Sequence, residues 1–551
     1  MITRRHDFQN AAQGTVATVA ASLVLIACFA FNVVAAEPSG EGRIEFNRDV
    51  RPILSDNCFY CHGPDKSQRQ ADLRLDVREE AVKARAISPG DVAASELVAR
   101  ILTDDAELQM PPSESRKQLT PRHKEILQKW IAQGAEYERH WSFEPLAPVQ
   151  VPTVKREDWA RNDLDRFVLE RLENEGLAPS AEADKETLIR RAALDLTGLP
   201  PTPAEVDAFL ADVSADAFEK VVDRLLNSPH YGERMAIDWL DAARYADSNG
   251  YQVDRDRELW PRRDWVIRAF NANMPFDQFT IEQLAGDLLP SATLEARIAT
   301  GFHRNHMLNE EGGIIPDEFL AEYTADRVET TAAVWLGQTF TCARCHDHKF
   351  DPFTQRDYYA LKAFFHNVPE RGVGAYGESI RRNAPPFVKL PAPEIEAKLA
   401  ELNAKLKTAN DRLAELSGAQ PQEAAGVKDG KQAEVAGQKE AKEEVESLKK
   451  QIAAAEDESP TTLVMEEMTQ PRATFILMRG AYDKPGEQVA AATPAVLPAM
   501  DESLPRNRLG LARWLVSPQN PLTARVTVNR FWQQLFGSGL VRTSEDFGSQ
   551  G

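Results

Sequence analysis

Apolar positions fall at helical spacing for most of the chain. Phe46, Val50, Ile53 and Leu54 predict a helix just before residue 58. Ile126, Leu127, Trp130 and Ile131 predict another, opened by Pro121 and stopped at Gly134. After a proline-containing linker from Pro145 to Pro152, Leu164, Phe167, Val168 and Leu172 mark one helix, and Leu188, Ala192, Leu194 and Leu196 the next. Thr202-Pro203-Ala204-Glu205 is a helix start, and Phe276-Asp277-Gln278-Phe279 leads into a further helix. Ile395, Leu399, Leu402, Leu406, Ala409, Leu413 and Leu416 step by four and three, a heptad seam. A Gly-, Gln- and Ala-rich stretch from Gly418 to Gly437 interrupts it, and Ala441, Val445, Leu448, Ile452 and Ala455 resume it. The pattern predicts an antiparallel coiled-coil hairpin; pairing with a coiled-coil partner, or a solvated spacer without one, are the alternatives. Thr462 to Met465 and Thr474 to Met478 predict short strands, and Leu509 to Phe536 returns to helix. There is no strand–helix alternation and no phosphate loop. The expected fold class is mainly α: a small helical domain over 43–136, a large helical domain over 140–388, a coiled-coil insertion over 389–458, and a mixed C-terminal region over 459–551.

The 551 residues carry a formal net charge of -20, which disfavours nucleic acid as a partner. The N-terminus has the pattern of an export signal. Arg4, Arg5 and His6 precede an apolar stretch densest from Val19 to Phe31, and Val34-Ala35-Ala36 offers a cleavage site. Residues 1–36 are therefore expected to be a signal peptide, with the mature protein periplasmic or at the cell surface. Leu25-Ile26-Ala27-Cys28 is a rival lipoprotein site. Membrane attachment is expected only if Cys28 is lipidated or the leader stays uncleaved, since no later segment is apolar and long enough to span a bilayer.

Cysteine usage changes the picture most. Of five cysteines, Cys28 lies in the leader, and the other four form two frames, Cys58-Phe59-Tyr60-Cys61-His62 and Cys342-Ala343-Arg344-Cys345-His346. Cys-x-x-Cys-His is the pattern of covalent haem c attachment. Two thiols on one tight turn reach the two vinyl groups of one porphyrin, and the adjacent histidine offers its imidazole to the iron. The region over 43–136 is thus expected to be a cytochrome c-like haem domain, with His62 and Met110 as axial ligands. Met110 sits in Met110-Pro111-Pro112 and is the only methionine between Cys58 and Trp141. Met/His ligation raises a haem's potential. In the second frame, Cys342, Cys345 and His346 are expected to hold a second haem c. With His348 they also supply enough ligands for zinc, and a disulfide is a third option. His303, His306 and Met307 are distal-ligand candidates for this second site.

The chain resembles the planctomycete-type secreted cytochrome c proteins, in which a small cytochrome domain precedes two large uncharacterised regions. The resemblance rests on Phe46 to Leu54, Cys58 to Pro64, Met110-Pro111-Pro112, His140-Trp141-Ser142-Phe143 and Leu196-Thr197-Gly198-Leu199-Pro200. It is strongest at Asn309-Glu310-Glu311-Gly312-Gly313, at Asp326-Arg327-Val328, and from Val334 through Pro352. Asn529-Arg530-Phe531-Trp532 and Glu545-Asp546-Phe547-Gly548 resemble the start of the third region, so that region is expected to be truncated at Gly551. The resemblance implies haem binding and electron transfer with a redox partner protein. It also favours His303 over His306, because Gly301-Phe302-His303-Arg304-Asn305 follows the family pattern.

The middle region is rich in polar groups: Arg244, Tyr245 and Asp247, then Asp254 to Arg257, then Glu310, Glu311, Glu322, Asp326 and Arg327. Such carboxylates could bind a sugar, act as a base or hold calcium, or form a structural ion-pair network. The leading expectation is an exported di-haem protein that transfers electrons and acts as a haem-dependent oxidoreductase on an unknown substrate, a carbohydrate being one candidate. The alternatives are an electron relay without a substrate site and a haem-bearing scaffold that binds partners through its coiled coil.

Overall fold

A computed structural model describes residues 43–66, 68–373, 383–418 and 437–551. The leader over 1–36, Cys28 within it, and the tip of the heptad region lie outside these. Residues Glu45 to Gly551 belong to one compact unit, and Met1 to Ile44 to another, of which only residues 43 and 44 are described.

A π-helical turn, Phe46–Val50, feeds α1 (Arg51–Asn57) and then the single-turn α2 (Phe59–His62). Helices α3 (Arg78–Lys83), α4 (Glu96–Leu102) and α5 (Pro121–Ala132) complete this region. The Thr120 hydroxyl caps α5 by accepting from the His123 amide at 3.1 Å, with Pro121 in the first turn. Phe46, Trp130 and Tyr137 stack with ring centroids 4.4–5.5 Å apart, over the buried Leu54, Leu127 and Ile131. The apolar positions that predicted these helices are therefore the ones that bury.

The next helices are α6 (Asp163–Asn174), α7 (Lys185–Thr197), α8 (Pro203–Ala211), α9 (Ala217–Leu226) and α10 (Pro229–Ala242). A capping box between Thr202 and Glu205 opens α8, as its sequence predicts. Helices α7, α8 and α9 share a small core of Ile189, Ala193, Phe209, Val221 and Leu225. On α6 the pattern misled. Leu164, Phe167 and Val168 are exposed, and Leu169, between two of the marked positions, is the residue that buries.

Helices α11 (Trp260–Asn271), α12 (Phe276–Ala285), α13 (Leu294–Ala299), α14 (Pro316–Thr331) and α15 (Gln355–Lys362) build the main core. With them pack α18 (Arg508–Leu515) and α19 (Pro521–Phe536), which follow α16 (Pro393–Gly418) and α17 (Gln438–Asp457) in the chain. At the centre, Trp239 packs against Trp335 at 5.7 Å and Phe279 at 4.9 Å. The same apolar cluster takes in Leu477, Met500, Leu511, Trp514, Val526 and Phe547, so the C-terminal segment shares the core of the middle region.

Strand β1 (Phe387–Lys389) pairs antiparallel with β2 (Thr461–Leu463), and β3 (Thr474–Leu477) with β4 (Pro485–Val489). The α16–α17 pair leaves and re-enters the body through β1 and β2. Its two helices bury Leu402, Ala409, Val445, Leu448 and Ala455 against each other. An ion pair of Lys398 with Glu458 at 2.9 Å marks one end, and a Gln438–Ser417 hydrogen bond at 3.1 Å the other, so the helices run antiparallel.

Much of the backbone around α14 is irregular, and buried main-chain carbonyls need donors. Arginines supply them. Arg257 donates to the carbonyls of Arg304, Asn305 and His306, and Arg304 to those of Ala384, Pro385, Pro386 and Val464. Arg327 donates to the His303 carbonyl at 2.9 Å and to the Glu370 carboxylate. Truncating one of these guanidiniums strands several acceptors at once. Arg304→Ala is expected to cost about 3–5 kcal/mol, with Arg304→Lys restoring only part, because an ammonium lacks the planar fork. The midpoint of urea unfolding measures it.

Candidate functional site

The first Cys-x-x-Cys-His frame is shaped by the break between α1 and α2. Cys58 ends one helix and opens the next, and its carbonyl accepts from the amides of Cys61 at 3.1 Å and His62 at 2.9 Å. This closes a single turn that sets the two cysteines three residues apart. The segment after the motif is tied back to it, with Gln70 N–H donating to the Cys61 carbonyl and Leu75 N–H to that of His62, both at 2.8 Å.

Cys58, Cys61, His62 and Met110 all line one cavity of about 970 Å³. Its walls are mostly apolar, with Leu73, Leu75, Ala86, Leu97 and Ile101 among them, which suits a buried cofactor. Met110 is held by its amide, which donates to the Arg100 carbonyl at 2.9 Å. Both cysteines are free thiols. Burial, reinforced by Cys61, pushes the Cys58 thiol up to about 12, so it is a protonated thiol at neutral pH. Nδ1 of His62 is buried without a hydrogen-bond partner, and burial lowers the ring's pKa, leaving a neutral imidazole. Two thiols, a neutral imidazole and a thioether on one apolar cavity are the donor set that haem c requires.

The second frame is built differently. Cys342 lies in a 3-10 turn, Thr341–Arg344, and both Cys342 and Cys345 are exposed free thiols. The Arg344 side chain ion-pairs with Glu322 on α14, while its carbonyl accepts from Gln355 and the Tyr359 hydroxyl, each at 3.0 Å. Nδ1 of His346 lies 2.7 Å from the Asp347 carbonyl and 3.8 Å from a carboxylate oxygen of Asp65. Gly480 packs on Cys345 so closely that a Cβ there would stand 2.9 Å from Sγ. Among the described residues, no group of three or more His, Cys, Asp and Glu side chains is gathered as a metal site, which leaves the zinc alternative without a ligand set there.

His303, the distal ligand expected for the second frame, packs in the core. It sits in a wholly buried 3-10 turn, Thr300–Arg304, between the rings of Phe302 at 5.0 Å and Phe365 at 4.7 Å. Neither of its ring nitrogens has a partner, and none of these contacts belongs to the second motif. The turn faces the core because Phe302 fills it from one side and Arg304 reaches the 384–386 carbonyls from the other. His306 stacks on Tyr323 at 4.4 Å and meets Arg327 at 3.0 Å, and Met307 is exposed beside Gly250.

Four carboxylates of this region are ion-paired. Asp326 pairs with Arg244, Glu310 with Arg255, Glu322 with Arg344, and Glu370 with Arg327. Although burial raises Glu370, Arg327 outweighs it and brings the carboxyl down to about 2. Glu329 on α14 is hydrogen-bonded instead. Burial raises its pKa, and its carboxyl accepts from the Tyr358 hydroxyl at 3.3 Å.

Residues remote in sequence complete the first cavity: Lys349, Phe350 and Gln550 line it too. Sequence reasoning assigned them no role. The only signal was that Lys349-Phe350-Asp351-Pro352 and the stretch ending in Phe547-Gly548 belong to the resemblance.

The fold and the first site define a cytochrome c module joined to a larger helical body. Family models agree. Planctomycete cytochrome C matches residues 58–114, a Protein of unknown function (DUF1549) residues 163–370, and a Protein of unknown function (DUF1553) residues 507–551. The chain therefore has the three-part architecture of the planctomycete-type cytochrome c proteins. No curated protein and no solved structure matches it.

A buried histidine, His140, and a half-buried one, His366, give the unit a pH signature. Burial, with help from Arg51, holds His140 down to about 4, and burial with Lys362 holds His366 to about 4. An unfolded histidine titrates near 6.5. Between these values the unfolded chain binds more protons, so stability present above pH ~6.5 is lost as pH falls toward 4. Thermal midpoints from pH 7 to 4 are expected to fall. His140→Gln should remove a share of the slope, on the order of 2 kcal/mol for this nearly buried ring.

Proposed function

We propose that this protein is an exported electron-transfer protein that carries haem c on both motifs and passes electrons between the two sites and an outside redox partner. The observation that carries the reading is the single apolar cavity shared by Cys58, Cys61, His62 and Met110. When bound there, haem c supplies one-electron redox chemistry. The chain's own residues would do the rest: Cys58 and Cys61 would form the thioether links, His62 and Met110 would hold the iron, and Leu73, Leu97 and Ile101 would exclude water.

Attachment of a second haem at Cys342 and Cys345, with His346 as axial ligand, is supported by the repeated frame and by the free, accessible thiols. The contact of His346 with Asp65, three residues beyond His62, supports exchange between the sites. The ion-paired state of Asp326, Glu310, Glu322 and Glu370 favours a relay over a dedicated substrate site, because a carboxylate committed to a guanidinium is a poor general base. Export rests on the leader pattern. No helix among the described residues is long and apolar enough to cross a membrane.

Haem quantitation on the full chain, produced with a c-type maturation system, tests this. Two covalent haems per chain are expected, falling to one with Cys58→Ala/Cys61→Ala and to one with Cys342→Ala/Cys345→Ala. Failure of the first pair to remove haem would overturn the reading. A wild-type count of one, insensitive to the second pair, would confine it to the first site. Met110→Ala is expected to lower the potential of the first haem and open its sixth position, since Met/His ligation raises potential. A spectral change from low to high spin on ligand loss reports it.

A further inference from the structure

The first haem cavity is not closed by its own module. Lys349 and Phe350, from the loop after the second motif, and Gln550, near Gly551, form part of its wall. The loop is braced at several points. The Asp351 amide donates to Nδ1 of His348 at 2.9 Å, the His348 amide to the Phe353 carbonyl at 2.7 Å, and the Ser549 amide to the Asp351 carboxylate at 2.7 Å. Nζ of Lys349 stands 4.3 Å from the centroid of Tyr60, one of the two residues between Cys58 and Cys61, and 4.3 Å from that of Phe350.

Three cationic side chains line the cavity: Arg100, Lys117 and Lys349. Arg100 is committed to Glu96 on its own helix at 2.9 Å. The other charged residues on the wall are Asp56 and Glu114, both acidic. Lys349 has ring faces rather than a carboxylate beside its ammonium, and it projects from a rigid loop.

Resting on the haem c reading of the first motif, we propose that Lys349 tunes that haem electrostatically: its ammonium, on the wall of the cavity that would hold the cofactor, would raise the cofactor's reduction potential. The second region thereby sets the redox poise of the first site. The sign follows from charge. A nearby cation disfavours the more positive ferric state, so removing it makes reduction harder. A purely structural Lys349, stacked on Tyr60, would leave the potential alone once its aliphatic stem is preserved.

Optical redox titration of the full-length protein tests this. In the Cys342→Ala/Cys345→Ala background only the first haem titrates. Lys349→Met is expected to lower the equilibrium constant for reduction about three- to tenfold, a tenfold change being 59 mV for one electron. Lys349→Glu should lower it further, and Lys349→Arg should restore it. Lys129→Glu, the same charge change on an exposed face of α5 away from the cavity, should leave it near the parent value. Identical potentials for Lys349→Met, Lys349→Glu and Lys129→Glu would overturn the proposal while leaving the haem reading intact. Absence of covalent haem in the background protein would overturn both.

Discussion

Buried carbonyls of irregular backbone are the constraint around which the large region is organised. Helices satisfy their own amides and carbonyls, but the segments around 300–309, 366–370 and 384–386 cannot. Arg257, Arg304, Arg327 and Arg472 reach into and around them and make twelve hydrogen bonds to backbone carbonyls. The planar guanidinium suits this role because one side chain can serve several diverging acceptors. Only Arg327 among these four has a buried carboxylate in Glu370; Arg304 and Arg257 are held by carbonyl dipoles, and their pKa values fall to about 10 through burial.

That network fixes where the functional segments lie. Arg327 pins α14 to the turn holding His303 and to Glu370, and the same helix carries Glu322, which binds Arg344 inside the second motif. The motif's loop then runs through His348 and Asp351 to Lys349 and Phe350 at the first cavity. Asp351 in turn accepts from Ser549, while Phe547 packs on Trp141 at 5.6 Å and donates its amide to Gly337 at 2.7 Å. Segments from each of the three matched regions thus meet beside the first haem-attachment motif.

How much of this was legible depended on range. The helices over Pro121–Ala132, Lys185–Thr197 and Phe276–Ala285 were legible because periodicity and caps are local. So were the first motif and Met110, since a short loop can return one thioether to a neighbouring turn. Leu164, Phe167 and Val168 misled because a helical stripe tells that a face exists, not that it is covered. His303 attracted attention as a histidine in a family-like segment, yet its burial is decided by Phe302, Phe365 and the arginine contacts, all made across the fold. Lys349 was invisible as part of the first cavity because it lies 291 positions beyond Cys58.

The two Cys-x-x-Cys-His frames, alike in sequence, therefore differ in physics. The first lies in an apolar cavity, where low dielectric strengthens every nearby charge. The second lies at the surface among carboxylates already paired with arginines, where solvent screens charge and thiols are accessible. Contact between Asp65 and His346 joins them, and the difference between the two frames follows from where burial falls rather than from the motifs themselves.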